Sequence, residues 1–333
     1  MSEIPPAPPL RAETSPQLVT VATCSLNQWA LDFAGNLSRV RESLRCARAA
    51  GATYRLGPEL ELCGYGCEDH FYEADTAAHA WESLAALLAG GDTDGLLADI
   101  GLPVEHRGVR YNCRALCADG RVLLVRPKTA LADDGNYREG RWFTAWPWDW
   151  SAPRPLEELP LPACVRAVRG QEAAPFGMAL LQSADGVALG VESCEELFTP
   201  DAPYAALSLA GADIVGNGSA SHHQMRKLHV RVDLIRGATA RGGGAYVYAN
   251  QRGCDGGRVY YDGCALVAVN GALVAQGAQF ALRDVEVVVA TVDVRAVRSA
   301  RAAHRSRGAS IRCVSRAEPG AAAAASSAAV DAP

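Results

Sequence analysis

Residues 18–26, LVTVATCSL, alternate between two faces as a strand does, and the apolar period then changes. Leu37, Val40, Leu44 and Ala47 recur at three- and four-residue spacing, the stripe of a helix over 36–50 that Gly51 closes. A strand over 54–62 ends at Glu59 and Glu61, and Gly64-Tyr65-Gly66 must turn. A second helix is predicted over 78–89, stopped by Gly90-Gly91. Strands follow over 96–104, 111–117 and 121–125, the last two joined as a hairpin through Ala118-Asp119-Gly120. Residues 126–150 read as a long aromatic and charged loop, a length that in a compact domain points to function. Residues 151–170 are proline-rich and read as an excursion over the surface. The second half repeats the first: strands over 187–193 and 212–217, a helix over 224–241, and strands over 246–250, 265–270, 273–275 and 285–294. Two similar α/β halves predict a four-layer α-β-β-α sandwich, two packed sheets with outer helices; a single doubly wound sheet is the alternative.

The sharpest local feature is VALGVESCEELFTP at 187–200, where an apolar strand runs into a helical turn with Cys194 at its tip. Such an elbow lifts one side chain clear of the sheet edge, and the thiolate is the nucleophilic form of cysteine. Glu195 and Glu196 oppose a nearby anion, so a catalytic Cys194 needs a base or a cation from elsewhere in the fold. Without them it is a small packed hydrophobe. In this topology Glu59 after the second strand and Lys128 after the hairpin converge on it: a carboxylate to carry the thiol proton and an ammonium to stabilise an oxyanion.

Composition narrows the setting. The 333-residue chain carries a formal net charge of -5 and is 49% hydrophobic, so it has no general attraction for nucleic acid or an anionic membrane. Its eleven cysteines are scattered; Cys63/Cys67 and Cys113/Cys117 have no zinc-ribbon spacing and no matching histidine pair. Free thiols in a reducing, cytoplasmic compartment are expected. No apolar run approaches the ~20 residues of a membrane span. Residues 1–17 read as a flexible extension, 18–308 as the folded domain and 309–333 as a low-complexity tail. Gly242-Gly243-Gly244 and the glycines around Cys254 lack phosphate-loop spacing and read as turns. His222 and His223 invite a Cys-His protease reading, but the Glu/Lys pair makes hydrogen-bonded structure the better account of them.

GPELELCGYG at 57–66, RPKTALADDGNYREGRWFTAW at 126–146 and SCEELFTP at 193–200 resemble the Glu, Lys and Cys motifs of the nitrilase (carbon–nitrogen hydrolase) superfamily. More narrowly they resemble the glutaminase domain of eukaryotic-type glutamine-dependent NAD synthetases, a likeness that TCSLNQWALDFAGNL, NGSASHHQMRK and NQRGCDGGRVYYDGCALVAVNG extend over roughly 19–307. The resemblance implies Glu59 as general base and acid, Lys128 as transition-state stabiliser, Cys194 as the nucleophile that forms a thioester with glutamine, and Glu139 as an additional glutamate beside the lysine. It implies Tyr65, Tyr137, Glu195 and Ser221 as glutamine contacts, with Arg226 chosen over Lys227 to hold the α-carboxylate because a guanidinium fork suits it. It also implies a homo-oligomer and no cofactor for amide hydrolysis. ATP and magnesium would serve a synthetase domain, whose SGGxDS loop is missing here, so ammonia would pass to a separate domain or subunit. Another nitrilase-type amidase and a non-catalytic interaction domain are the competing expectations.

Overall fold

The computed structural model of the chain describes residues 17–149, 154–254 and 256–315. The expected extension over 1–17 (Gln17 apart) and the tail beyond 315 lie outside them. The first half comprises β1 (Leu18–Leu26), α1 (Phe33–Ala49), β2 (Tyr54–Leu56), α2 (Ala74–Ala89), β3 (Leu97–His106), β4 (Val109–Ala118) and β5 (Arg121–Pro127). A connecting region holds α3 (Glu139–Trp142), β6 (Glu157–Pro160), α4 (Ala163–Arg169) and β7 (Ala173–Phe176). The second half runs β8 (Leu181–Gln182), β9 (Ala188–Ser193), α5 (Pro203–Ala210), β10 (Ile214–Ser219), α6 (Lys227–Gly242), β11 (Ala245–Cys254), β12 (Tyr260–Asp262), β13 (Leu266–Val269), β14 (Ala272–Gln276), β15 (Val285–Asp293), α7 (Val294–Ala303) and α8 (Arg305–Ser315). Helix α8 crosses the boundary expected at 308.

The strands hydrogen-bond in the order β6-β7-β5-β4-β3-β2-β1-β11-β10-β9-β8, so the halves join at β1 and β11 and the sheet curls until they face each other. Strand alternation then sorts side chains into layers. Val21, Leu56, Leu116, Ile214 and Val247 fill the space between the sheet halves. Ala22, Leu26 and Ile100 turn outward onto Val40 and Leu44 of α1 and Leu84 of α2. On the opposite side Val215, Tyr246 and Tyr248 turn outward onto Tyr204 and Leu207 of α5 and Ile235 of α6. Three apolar layers between two helical and two sheet layers make the α-β-β-α sandwich.

Among the departures from the sequence reading, two alter the first half and the connecting region. Strand β2 is three residues long, because Gly57-Pro58 leaves the ladder and Leu60 takes a left-handed φ of 49°; Glu59 therefore sits on a loop. Residues 154–170 are no simple excursion: β6 pairs antiparallel with β7 at the sheet edge, where proline's missing N–H is tolerated, and Pro162 precedes α4.

Candidate active site

Glu59 is held from both halves of the sandwich. Arg114 donates to the carbonyls of Gly57 and Pro58 at 2.8 Å each, the Glu59 N–H donates to Ser219 O at 3.3 Å, and Gln251 Nε2 donates to Glu59 O at 3.0 Å. Its carboxylate is completely buried: Oε1 accepts from Lys128 Nζ (2.7 Å) and Asn112 Nδ2 (2.8 Å), and Oε2 accepts from the Ala220 N–H (3.1 Å). Lys128 follows β5 directly, with its N–H on Asn112 O and its carbonyl on Trp146 N–H, both at 2.8 Å. Its ammonium also donates to Glu139 Oε1 (2.7 Å) and Oε2 (2.8 Å), and Tyr65 OH donates to the same Glu139 Oε1 at 2.6 Å. One lysine thus bridges two buried carboxylates.

Cys194 ends β9 with a left-handed φ of 42°, a conformation costly for a side chain with a Cβ, and is 2% exposed. Two bonds hold it there: its N–H donates to Asn217 Oδ1 at 2.9 Å, and the following turn is closed by the Ser193 N–H on Glu196 Oε2 at 2.6 Å, half of a capping box. Glu196 also accepts from the Thr129 N–H at 2.6 Å and pairs with Arg126 Nη1 at 2.7 Å. The second glutamate after the cysteine is therefore no electrostatic burden on the sulfur; it ties the elbow to the segment that carries Lys128. Sequence reasoning treated Glu195 and Glu196 alike, and a capping-box signature, Ser193 followed three residues later by Glu196, was there to separate them.

Burial dominates the electrostatics. It pushes the Cys194 thiol well above its ordinary range, with Glu59 adding to the rise and Lys128 partly offsetting it. Burial also disfavours the Lys128 ammonium, but Glu139, Glu59 and Cys194 outweigh it and hold the lysine well above its usual value. Glu139 is pushed up to about 7 by burial against the pull of Lys128. The resting site therefore holds a neutral thiol beside a protonated lysine, and any attack by the sulfur requires it to lose that proton.

Residues 20–302 match the family model described as carbon-nitrogen hydrolase. The chain belongs to the carbon–nitrogen hydrolase family. It is 56% identical over 291 residues to the glutamine-dependent NAD(+) synthetase of Saccharomyces cerevisiae, an alignment covering 87% of this chain and 40% of that protein. The crystal structure of a glutamine-dependent NAD(+) synthetase from Cytophaga hutchinsonii superposes with a TM-score of 0.72 at 30% identity, over 83% of this chain and 43% of that one. An amidase from Nesterenkonia sp. AN1, with a TM-score of 0.65 at 18% identity, covers 88% of this chain and 95% of its own, and shares the fold. The chain spans about 40% of the length of the curated relatives it matches.

In this carbon–nitrogen hydrolase the predicted substrate residues divide. Tyr65 and Tyr137 stand edge to face at 6.0 Å and wall the site; Tyr137 OH donates to Ala220 O at 3.1 Å and accepts from the His222 N–H at 2.9 Å. A narrow cleft opens beside them, lined also by Trp142, Arg138, Arg258 and Tyr261. Ser221 is buried, fixed through its backbone by Asn250, and its Oγ has no partner among the described residues. Glu195 is half-buried at the mouth, its pKa raised by burial against the pull of Lys128 and Lys227. Arg226 is the misplacement: it is exposed, with a left-handed φ of 66° at the start of α6. Its neighbour Lys227 is the one turned inward, with Nζ 5.3 Å from the Tyr137 ring centre and 5.8 Å from that of Phe198. The left-handed residue reverses the chain just before the helix, so 226 and 227 point opposite ways, which residue type could not reveal. His222 also departs from expectation. It is 4% exposed, its ring centre 4.7 Å from that of Tyr137 and tilted 59° to it, with neither ring nitrogen bonded among the described residues, and burial together with Lys227 holds its pKa down to about 4.

Proposed function

We propose that this chain hydrolyses the side-chain amide of L-glutamine through a Cys194 thioester and supplies the ammonia to an NAD-forming synthetase. One observation carries the reading: Lys128 shared at 2.7 Å by Glu59 and Glu139, next to a buried cysteine on a strained elbow. The likeness to glutamine-dependent synthetases supplies the substrate. Glu59 takes the Cys194 proton as sulfur attacks the amide carbon, and the carbonyl electron pair moves to oxygen, where Lys128 meets the new charge. Collapse breaks the C–N bond as Glu59 returns the proton to nitrogen, and ammonia leaves. Water then attacks the thioester with its proton passing to Glu59, and C–S cleavage releases glutamate and the thiol. Glu139 and Tyr65 keep the Lys128 ammonium aimed between the two carboxylates.

Lys227 in place of Arg226 takes the substrate α-carboxylate in this reading, and Glu195 its ammonium, with Tyr65, Tyr137 and Ser221 closing the site. The step uses side chains and water alone. ATP and magnesium belong to adenylation, which we assign to the part of the relatives that this chain does not span. The hydrolase unit runs from residue 18 into α8. Free cysteines suit a cytoplasmic setting, and exposed Met225 and Leu282 suit docking of a second copy or of the synthetase partner. No helix among the described residues is long and apolar enough to cross a membrane. Ammonia release from L-glutamine by the purified chain tests the proposal: it should occur and should vanish in Cys194→Ala. Equal release by that variant would overturn it.

A further inference from the structure

Behind the nucleophile lies a second buried carboxylate that the proposed reaction does not use. Glu192, two residues before Cys194 and fully buried, accepts from Tyr246 OH at 2.5 Å. Tyr246 OH accepts from Asn217 Nδ2 at 2.9 Å, and Asn217 Oδ1 accepts from the Cys194 N–H at 2.9 Å and from Ser219 Oγ at 2.8 Å. The chain thus runs from the amide of the strained residue, across β10 and β11, to a carboxylate facing Arg126, Glu196 and the start of α5.

Every link has the same polarity. A backbone N–H can only donate, so Asn217 must present its oxygen to Cys194 and its amide hydrogens to Tyr246. Tyr246 can accept there because its own hydrogen points at Glu192. Were the Tyr246 hydrogen turned toward Asn217, the amide would have to flip to accept it, and its NH2 would then oppose the Cys194 N–H, donor against donor. We propose that Glu192, Tyr246 and Asn217 are positioning residues, a hydrogen-bond chain whose direction, set at Glu192, holds the Cys194 backbone in the left-handed conformation that aims the sulfur. The proposal rests on the reading of Cys194 as the nucleophile.

The experiment uses the full 333-residue chain as wild type, Glu192→Leu, which has no acceptor for Tyr246 OH, Tyr246→Phe and the double variant. Two quantities are read: the rate of Cys194 alkylation by iodoacetamide, located by peptide mass, and kcat and KM for glutamine. Loss of one charged link predicts a fall of about tenfold in kcat with KM unchanged and a parallel fall in alkylation rate. The double variant should be no worse than the weaker single one, because either change already breaks the chain. Independent, multiplying losses, a KM that rises in step, or variants equal to wild type would overturn it. If the wild type released no ammonia, the glutaminase reading would fall while the alkylation rates still tested the positioning chain.

Discussion

Glu59 and Glu61 lie two residues apart on one loop, both completely buried, yet they are solvated by opposite logic. Glu61 meets Arg55 fork to fork, with Nη1 on Oε1 and Nη2 on Oε2 at 2.8 Å each, and Nη2 also donates to Ser43 Oγ at 2.6 Å. Both oxygens face one rigid guanidinium, so the cation is committed to this carboxylate alone. Glu59 has no guanidinium: Oε1 shares a lysine with Glu139 and also accepts from Asn112 Nδ2 at 2.8 Å, and Oε2 rests on a single backbone N–H at 3.1 Å. A closed bidentate ion pair anchors the loop, and two residues on stands a carboxylate whose cation is shared with a second carboxylate.

The largest effect that would break this contrast is on turnover. Glu59→Gln keeps the shape and removes the base, so kcat should fall on the order of a thousandfold while the melting temperature changes little, and intact mass should detect accumulated thioester only if acylation survives. Glu61→Gln should do the reverse. It strands Arg55 in the outer apolar layer, and urea unfolding should register a loss of about 3–5 kcal/mol; a stable but inactive Glu61→Gln would erase the distinction.

A pH series sharpens it with Glu192, whose carboxyl burial pushes from 4.5 to about 7. A folded-state pKa above the unfolded one means that the native state holds the proton more tightly. The associated stability is complete below 4.5 and is lost as pH rises through about 7. The stability of the wild type relative to Glu192→Gln should therefore drop between pH 5 and pH 8, by about 3 kcal/mol at most; a flat difference would mean that the charge is matched in the fold. The smallest effect separates two neighbours at the mouth. Lys227→Ala should raise KM for glutamine roughly tenfold, whereas Arg226→Ala should leave it within about twofold of the wild type, since its side chain faces solvent.

These contrasts also mark what the sequence could disclose. Strand alternation and helical stripes located most elements, and the three motif segments announced Glu59, Lys128 and Cys194. The ion pair of Glu61 could not be read, because its partner Arg55 looks like an ordinary strand residue until β2 buries it. The same holds for Arg114, whose grip on Gly57 and Pro58 spans more than fifty residues. Helix α5 went unseen because Pro203 reads as a breaker, although at the first helical position proline is favoured. Helix α7 hid behind its arginines; Arg301 is in fact buried against Asp213. Of the misjudged residues, Arg226 depends on a left-handed turn and His222 on a bridge to Tyr261, neither of which composition announces.

The pairing of β1 with β15 has a bearing on biogenesis. All nine residues of β1 are in antiparallel register with β15, from Leu18 opposite Asp293 to Leu26 opposite Val285, and Thr20 meets Thr291 across 271 residues of chain. A ribosome adding about 5–20 residues per second needs roughly 15–55 s to supply that partner. Throughout that interval one edge of the first strand stays open while the rest of the first half is already available to fold. Vectorial synthesis therefore leaves an unsealed, β-branched margin at the centre of the future sandwich until β15 arrives to close it.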